Sequence, residues 1–310
     1  MYLVAFAVTY LLFRYQVKKR RLEVESDTVL TFFFWGIIGL LIGARIFATL
    51  FFSGTDLYWR RPWLIFWPFN EQGQFTGFQG MNYYGGLVGA VVGFVIYARR
   101  KRLPILDWGD MLVAGIPLAY TFGRLGNFIN GELFGRVTTA SWGVVFPHAR
   151  SFPAAESWVQ EKAAAVGMDI SEMTMVNLPR HPTQLYEAIT EGILSWLVIW
   201  FILRKRKPFD GFLVAIYTLS YGVFRFFIDY FRMPLSGDFA LRLSSIENPP
   251  HLLLTPWNFI MSQFYSFAMI AAGVVLLLVF KAQHDKKSRL AAEPETPKNS
   301  SRKLRKKLRG

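Results

Sequence analysis

The chain has no cysteine in its 310 residues. That absence excludes disulfide bridges, a cysteine nucleophile and thiolate-bound metal. If thiol chemistry occurs, the thiol comes from the substrate. Histidine is scarce too. His148, His181, His251 and His284 are scattered without ligand spacing, so no metal site is expected. Acidic residues are few, with 21 Asp and Glu against 35 Lys and Arg, for a formal net charge of +14. The excess is uneven. Residues 281–310 hold 11 Lys or Arg and 3 Asp or Glu, so +8 of the total lies there. Their Pro, Ser, Glu and Lys content predicts a disordered cytoplasmic tail drawn to anionic headgroups, and nucleic acid is not an expected partner.

What the chain does have is long apolar blocks. It is 53% hydrophobic and 17% aromatic. About 20 apolar residues cross a hydrocarbon core. Blocks at 29–52, 83–98, 103–122, 185–203, 211–230 and 257–280 are read as helical spans. The block at 1–13 is too short to cross alone, and its basic cluster follows the apolar run, the reverse of a secretory signal. It reads as the C-terminal half of a first span whose beginning lies upstream. The connections alternate between basic and poor in basic residues. Residues 14–28 carry five Lys or Arg, 53–82 only Arg60 and Arg61, and 99–102 four in a row. Residues 204–207 are again four in a row, and 232–256 hold only Arg232 and Arg242. The positive-inside rule then predicts an all-α polytopic bundle of about seven spans, the first one shortened. Its N-terminus lies outside, its C-terminus in the cytoplasm, and its long loops on the outer face. Residues 1–280 form the membrane domain, with an outer-face cap around 124–184 that could include a short helix within 151–172.

Polar residues in spans are costly and therefore informative. Arg45 interrupts the second span, where it could tie helices together. Glu187 and Glu191 stand one helical turn apart and are expected to hydrogen-bond within the bundle. Arg225 and Asp229 are spaced i, i+4, as an internal ion pair would be. Arg136 and Arg232 could reach headgroups. Gly39 and Gly43, with Gly85, Gly89 and Gly93, recur every four residues, a pattern of close helix packing. The Trp-, Phe- and Pro-rich stretch 53–82 reads as interfacial. The densest polar set is residues 123–136, with four Gly, Arg124, Asn127, Asn130, Glu132 and Arg136. Glycines let a backbone approach a ligand closely, and guanidinium forks match phosphate. With Arg225, this set points to an anionic lipid headgroup.

These residues resemble the bacterial prolipoprotein diacylglyceryl transferases. Residues 123–136 (GRLGNFINGELFGR) look like that family's signature. Tyr84-Gly85-Gly86-Leu87 is similar to its His-Gly-Gly-Leu element, and residues 180–187 (RHPTQLYE) match another. Tyr221-Gly222-Val223-Phe224-Arg225, Phe231-Arg232 and Gly43-Ala44-Arg45 match further elements, in the family's order, from about Met1 to Lys281.

The resemblance implies a bacterial plasma (inner) membrane enzyme with multiple passes and no cofactor. It would transfer the sn-1,2-diacylglyceryl group of phosphatidylglycerol to the lipobox cysteine thiol of prolipoprotein signal peptides, releasing glycerol 1-phosphate. By the same resemblance Arg124 and Arg225 are catalytic, with Arg124 on the phosphate, and Tyr84 joins them. Asn127, Asn130, Glu132, Tyr221, Arg136, Gly85 and Gly86 complete substrate binding. Two departures stand out. The family's histidine, a candidate base, is Tyr84 here, and a phenol is a poorer base near neutrality. The family's Tyr-Gly pair in the first span has no counterpart here. A non-enzymatic phospholipid carrier and an inactive family member are the competing readings.

Overall fold

The computed structural model describes residues 1–51, 53–69, 74–75, 77, 80–233, 239–242 and 258–292; within these the side chains of Tyr2, Tyr83, Tyr84, Phe239, Ala240, Arg242, Asn258 and Ala292 are left aside. The chain forms two compact units, residues 2–119, and Met1 with 120–310. The protein is a helical membrane protein.

The first unit contains α1 (Tyr2–Lys19), α2 (Ser26–Phe51), α3 (Leu57–Arg60), a 3-10 turn (Pro62–Phe66), α4 (Tyr83–Arg100) and α5 (Ile105–Val113). Its hydrophobic centre is aromatic. Phe13 of α1, Phe32 and Phe33 of α2 and Trp108 of α5 are buried together, with Phe32 and Trp108 ring centres 5.0 Å apart in an edge-on pair. Polar ties fix the same helices. Arg20 pairs with Asp107 at 2.9 Å, and Gln16 Nε2 donates to the Met111 carbonyl at 2.8 Å.

The two glycine series meet face to face along α2 and α4. A Cβ on Gly39 would stand 2.2 Å from the Gly89 carbonyl oxygen, and one on Gly43 2.3 Å from that of Gly85. One on Gly93 would stand 2.2 Å from the Trp35 oxygen. Backbone therefore packs on backbone, as small residues permit. Gly85 is part of this seam, whereas a Cβ on Gly86 meets the Ala44 Cβ at an ordinary 3.4 Å. Arg45 is buried and donates through Nε to the Ile65 carbonyl at 2.6 Å, which holds the 3-10 turn against α2. Trp59, Trp63 and Trp67, in the stretch read as interfacial, are all exposed.

The second unit takes in most of α6 (Ile116–Ile129), then β1 (Phe152–Pro153), α7 (Ser157–Ala165), β2 (Met175–Val176), α8 (Thr183–Arg206) and α9 (Phe212–Ile228). It closes with β3 (Phe239–Arg242), β4 (Asn258–Ile260) and α10 (Met261–Ala292). The short strands pair antiparallel, β1 with β2 and β3 with β4. Val137, Phe152, Val159, Ala163, Val176 and Leu178 build a small separate core around α7. Helices α9 and α10 also meet through glycine, a Cβ on Gly273 falling 2.7 Å from the Leu219 nitrogen.

Among the described residues, α2, α8 and α10 are long and apolar enough to cross a membrane, and α9 is a shorter apolar helix. The block 103–122, read as one span, is instead two helices. α5 ends at Val113, and α6 begins at Ile116 with Pro117 in its first turn, where a residue lacking N–H is tolerated. Hydropathy stays high through the break, so block length alone does not reveal it. α6 also runs on to Ile129, so the first half of residues 123–136 is helical. The short first block becomes an 18-residue helix by continuing through its basic residues to Lys19. α10 likewise passes Lys281 and ends at Ala292, while residues 293–310 of the basic tail lie outside the described residues.

Replacing Gly89 with Leu is expected to push α4 off α2 and cost about 1–3 kcal/mol or more through overpacking. Gly86→Ala in the same helix should be neutral. Thermal unfolding in detergent checks both, and equal midpoints for the two variants would contradict the backbone seam.

Candidate active site

The site begins where α6 stops. Gly131 takes φ +66, its N–H donates to the Phe128 carbonyl at 3.0 Å, and the Glu132 N–H reaches the Asn127 carbonyl at 3.0 Å. This double closure is the glycine-terminated helix end known as a Schellman motif. It turns the chain sharply, so that Glu132 folds back over the last helical turn. Glu132 Oε1 then accepts from Asn127 Nδ2 at 2.8 Å and Asn130 Nδ2 at 3.3 Å. Asn127 Oδ1 accepts in turn from Arg124 Nη1 at 3.3 Å. The polar residues of the segment thus form one chain of hydrogen bonds that ends on Arg124.

The next stretch fixes three chain segments at one point. Gly135 N–H donates to the His181 carbonyl at 2.8 Å, and Arg136 N–H to the Phe231 carbonyl at 2.8 Å. His181 N–H returns to the Arg136 carbonyl at 2.9 Å. A Cβ on Gly135 would fall 2.6 Å from the Phe231 oxygen and 2.7 Å from the His181 oxygen, so only glycine fits. Gln184 Nε2 donates to the Glu132 carbonyl at 2.7 Å, and Thr183 Oγ1 to that of Leu133 at 3.2 Å. The start of α8 is thereby stitched to the segment that follows α6.

That stitching brings charges together. Glu187 of α8 is 1% exposed. Its carboxylate pairs with Arg124 Nε at 2.7 Å, Arg225 Nη1 at 3.0 Å and Arg232 Nε at 3.8 Å. Glu191, fully buried one turn further, lies 3.5 Å from Arg225 Nη1, and Asp229 lies 3.6 Å from Arg225 Nε. The Tyr120 hydroxyl bonds Glu187 at 3.2 Å and Glu191 more closely still. The Arg124 guanidinium sits 4.6 Å above the Tyr120 ring, and the Tyr221 ring meets that ring edge-on at 5.9 Å. From Ala188 to Leu194 the helix is wound as a π-helix, a form often found at functional sites.

Two arginines outside the spans have another part. Arg136 is fully buried, and burial lowers its pKa to about 10 against an opposing pull from Asp229. Arg180 is lowered to about 10, first by burial and then by Arg150. It donates to the Arg150 carbonyl at 2.9 Å and lies over the Phe134 and Phe152 rings. Both stay cationic near neutrality. Burial also lowers the pKa of His181, whose Nδ1 lies 3.1 Å from the Tyr186 hydroxyl.

Of the residues singled out from the sequence, Arg124, Arg225, Asn127, Asn130, Glu132 and Tyr221 belong to one connected network. Arg232, read as a headgroup contact, reaches that network through Glu187. Arg136 is buried beside it rather than extended to headgroups. Gly85 and Gly86 lie in α4 of the first unit, and the side chain of Tyr84 lies outside the described residues. Sequence reasoning expected Glu187 and Glu191 to hydrogen-bond in the bundle but did not make them the hub. It passed over Tyr120 altogether. The available signal was Tyr120 and Arg124 at i, i+4 on one helix, with an acid pair at i, i+4 on another.

Removing the Glu187 carboxylate leaves buried guanidiniums short of counter-charge. Glu187→Leu should cost about 3–5 kcal/mol, as breaking a buried pair does. A lowered thermal midpoint in detergent is the readout, and an unchanged midpoint would show that Glu187 is not the hub.

Known proteins match this chain along most of its length. Residues 1–279 match the family model described as "Prolipoprotein diacylglyceryl transferase". A phosphatidylglycerol–prolipoprotein diacylglyceryl transferase of Treponema pallidum is 44% identical over 93% of this chain and 90% of its own length. The protein of that name from Treponema denticola is 50% identical over 76% of this chain and 73% of its own. That from Chlorobaculum tepidum is 37% identical over 90% and 83%. With a family match over nearly the whole described chain, and an arginine cluster built from the same segments that carry the motifs, this protein belongs to the prolipoprotein diacylglyceryl transferase family.

Proposed function

We propose that the chain transfers the sn-1,2-diacylglyceryl group of phosphatidylglycerol to the lipobox cysteine thiol of a prolipoprotein signal peptide, with glycerol 1-phosphate as the other product. The observation that carries this reading is the convergence of Arg124, Arg225 and Arg232 on Glu187. With Arg136 beside Asp229, four guanidiniums face the three carboxylates of Glu187, Glu191 and Asp229, which supports a place for a further anion. The phosphodiester of the lipid fits it, because arginine offers paired donors in the plane of a phosphate.

The chemistry follows from where charge grows. The thiolate sulfur attacks the glyceryl carbon, the carbon–oxygen bond to phosphate breaks, and the electron pair leaves with glycerol 1-phosphate. Negative charge builds on the leaving phosphate as the bond lengthens. Arginines already fixed in place by Glu187, Glu191 and Asp229 stabilise that charge without reorganising. Arg124 and Arg225 take the catalytic role. Asn127, Asn130 and Glu132 hold Arg124 in position, Tyr221 lines the aromatic side, and Arg136 adds a buried positive charge. Tyr84 is assigned to orienting substrate, and Gly85 and Gly86 to substrate binding. No organic cofactor or metal takes part in this scheme.

The membrane arrangement belongs to the same proposal. About seven spans cross the bacterial plasma membrane, with the N-terminus outside and the C-terminus in the cytoplasm. The alternating basic connections support this orientation. Residues 1–280 form the transferase domain, residues around 124–184 its outer-face cap, and the basic tail from 281 lies against the inner leaflet.

Purified protein with phosphatidylglycerol and a lipobox peptide should release glycerol phosphate, and a peptide with serine in place of the cysteine should not. Headgroup binding without release would instead mark a carrier or an inactive family member. Arg124→Ala and Arg225→Ala should each lose about 100-fold or more, the scale for removing a donor to developing charge. Near wild-type rates in either variant would end the phosphate role.

A further inference from the structure

The transfer proposed above needs a group that takes the proton from the attacking thiol. We propose that Tyr120 and Glu191 form that proton relay, an inference that rests on the transferase reading above. The Tyr120 hydroxyl bonds both Glu187 Oε2 and Glu191 Oε2. The two carboxylates differ in what else they hold. Glu187 balances Arg124, Arg225 and Arg232. Glu191 is within ion-pair distance of Arg225 alone among the described arginines, at 3.5 Å. With less positive charge against it, Glu191 is the readier proton acceptor of the two.

Exposure sets the order of the relay. Glu187 and Glu191 are 1% and 0% exposed, beyond the reach of a substrate thiol. Tyr120 is only partly buried, and its ring lies beneath the Arg124 guanidinium. Of the three side chains, Tyr120 alone has appreciable exposed surface, and we place the approach of the thiol there. As the sulfur–hydrogen bond breaks, its proton passes to the Tyr120 oxygen, and the Tyr120 proton passes to Glu191. The sulfur lone pair forms the new bond to the glyceryl carbon, and the electrons of the broken carbon–oxygen bond leave on the phosphate. The charged and titratable groups facing the relay are Arg124 on its own helix, Glu187 on α8, and Tyr221 and Arg225 on α9. Arg124 and Arg225 would at the same time favour the thiolate.

The test uses full-length Tyr120→Phe and Glu191→Gln proteins, assayed by glycerol phosphate release from phosphatidylglycerol with two peptides. One carries the lipobox cysteine. The other carries selenocysteine, whose selenol is already ionised at neutral pH and needs no base. With the cysteine peptide both variants should slow by about 100-fold, the lower range for general-base catalysis. Their residual rates should rise with pH toward about 8.5, where a free thiol ionises. With the selenocysteine peptide the slowing should shrink by at least about tenfold, since no proton has to be removed. Equal slowing with both peptides would make Tyr120 and Glu191 structural and overturn the relay, as would unchanged rates with the cysteine peptide. A wild-type protein that releases nothing overturns the transferase reading itself and takes the relay with it.

Discussion

A carboxylate removed from water must be matched by positive charge, and Glu187 is where this protein meets that requirement. It is almost fully buried and touches three arginines, Arg124 of α6, Arg225 of α9 and Arg232 just beyond the end of α9. In a medium of low dielectric such a cluster is stable only when its charges stay close and mutually satisfied. Glu191 and Asp229 balance Arg225 from two further sides. The helices are therefore not free to slide past one another near this point, since any shift would strand a charge. The same demand that secures the fold also supplies fixed guanidiniums for an anion.

Local backbone features serve that cluster. The glycine turn after α6 folds Glu132 back onto Asn127, and Asn127 reaches Arg124. The three-segment contact at Gly135 sets where α8 begins, and so where Glu187 enters. The first unit is built on other means, an aromatic centre and a seam of bare backbone between α2 and α4. Its polar ties, Arg20 with Asp107 and Arg45 with the Ile65 carbonyl, are structural contacts with ordinary geometry.

Much of this was legible from residue order alone. Long apolar blocks announce helices, because nothing else buries so much uninterrupted apolar surface. The glycine spacing of α2 and α4 announces their contact, because small residues on one face serve packing. Arg124, Arg225 and the asparagines were legible because polar groups beside spans need a reason. The break before Ile116 was not, since both sides are equally apolar and proline is tolerated in a first turn. The continuation of α6 to Ile129 was hidden by glycines that usually signal loops. Tyr120 looked like one more aromatic in a greasy run, and only the approach of α8 gives its hydroxyl a purpose. The hub role of Glu187 depends on pairing across 38 to 63 residues of sequence, which no local pattern encodes.

The junction at Gly135 has a wider consequence. Three stretches of chain touch there through main-chain atoms, with no side chain between them to compress or repack. It acts as a common datum for Arg124, Glu187 and Arg232, each of which sits a short way along one of those stretches. Lipid-facing positions elsewhere can vary in size and shape while the relative coordinates of the three charges hold. Tolerance to change at the periphery is thus bought by a single point of no tolerance at the centre.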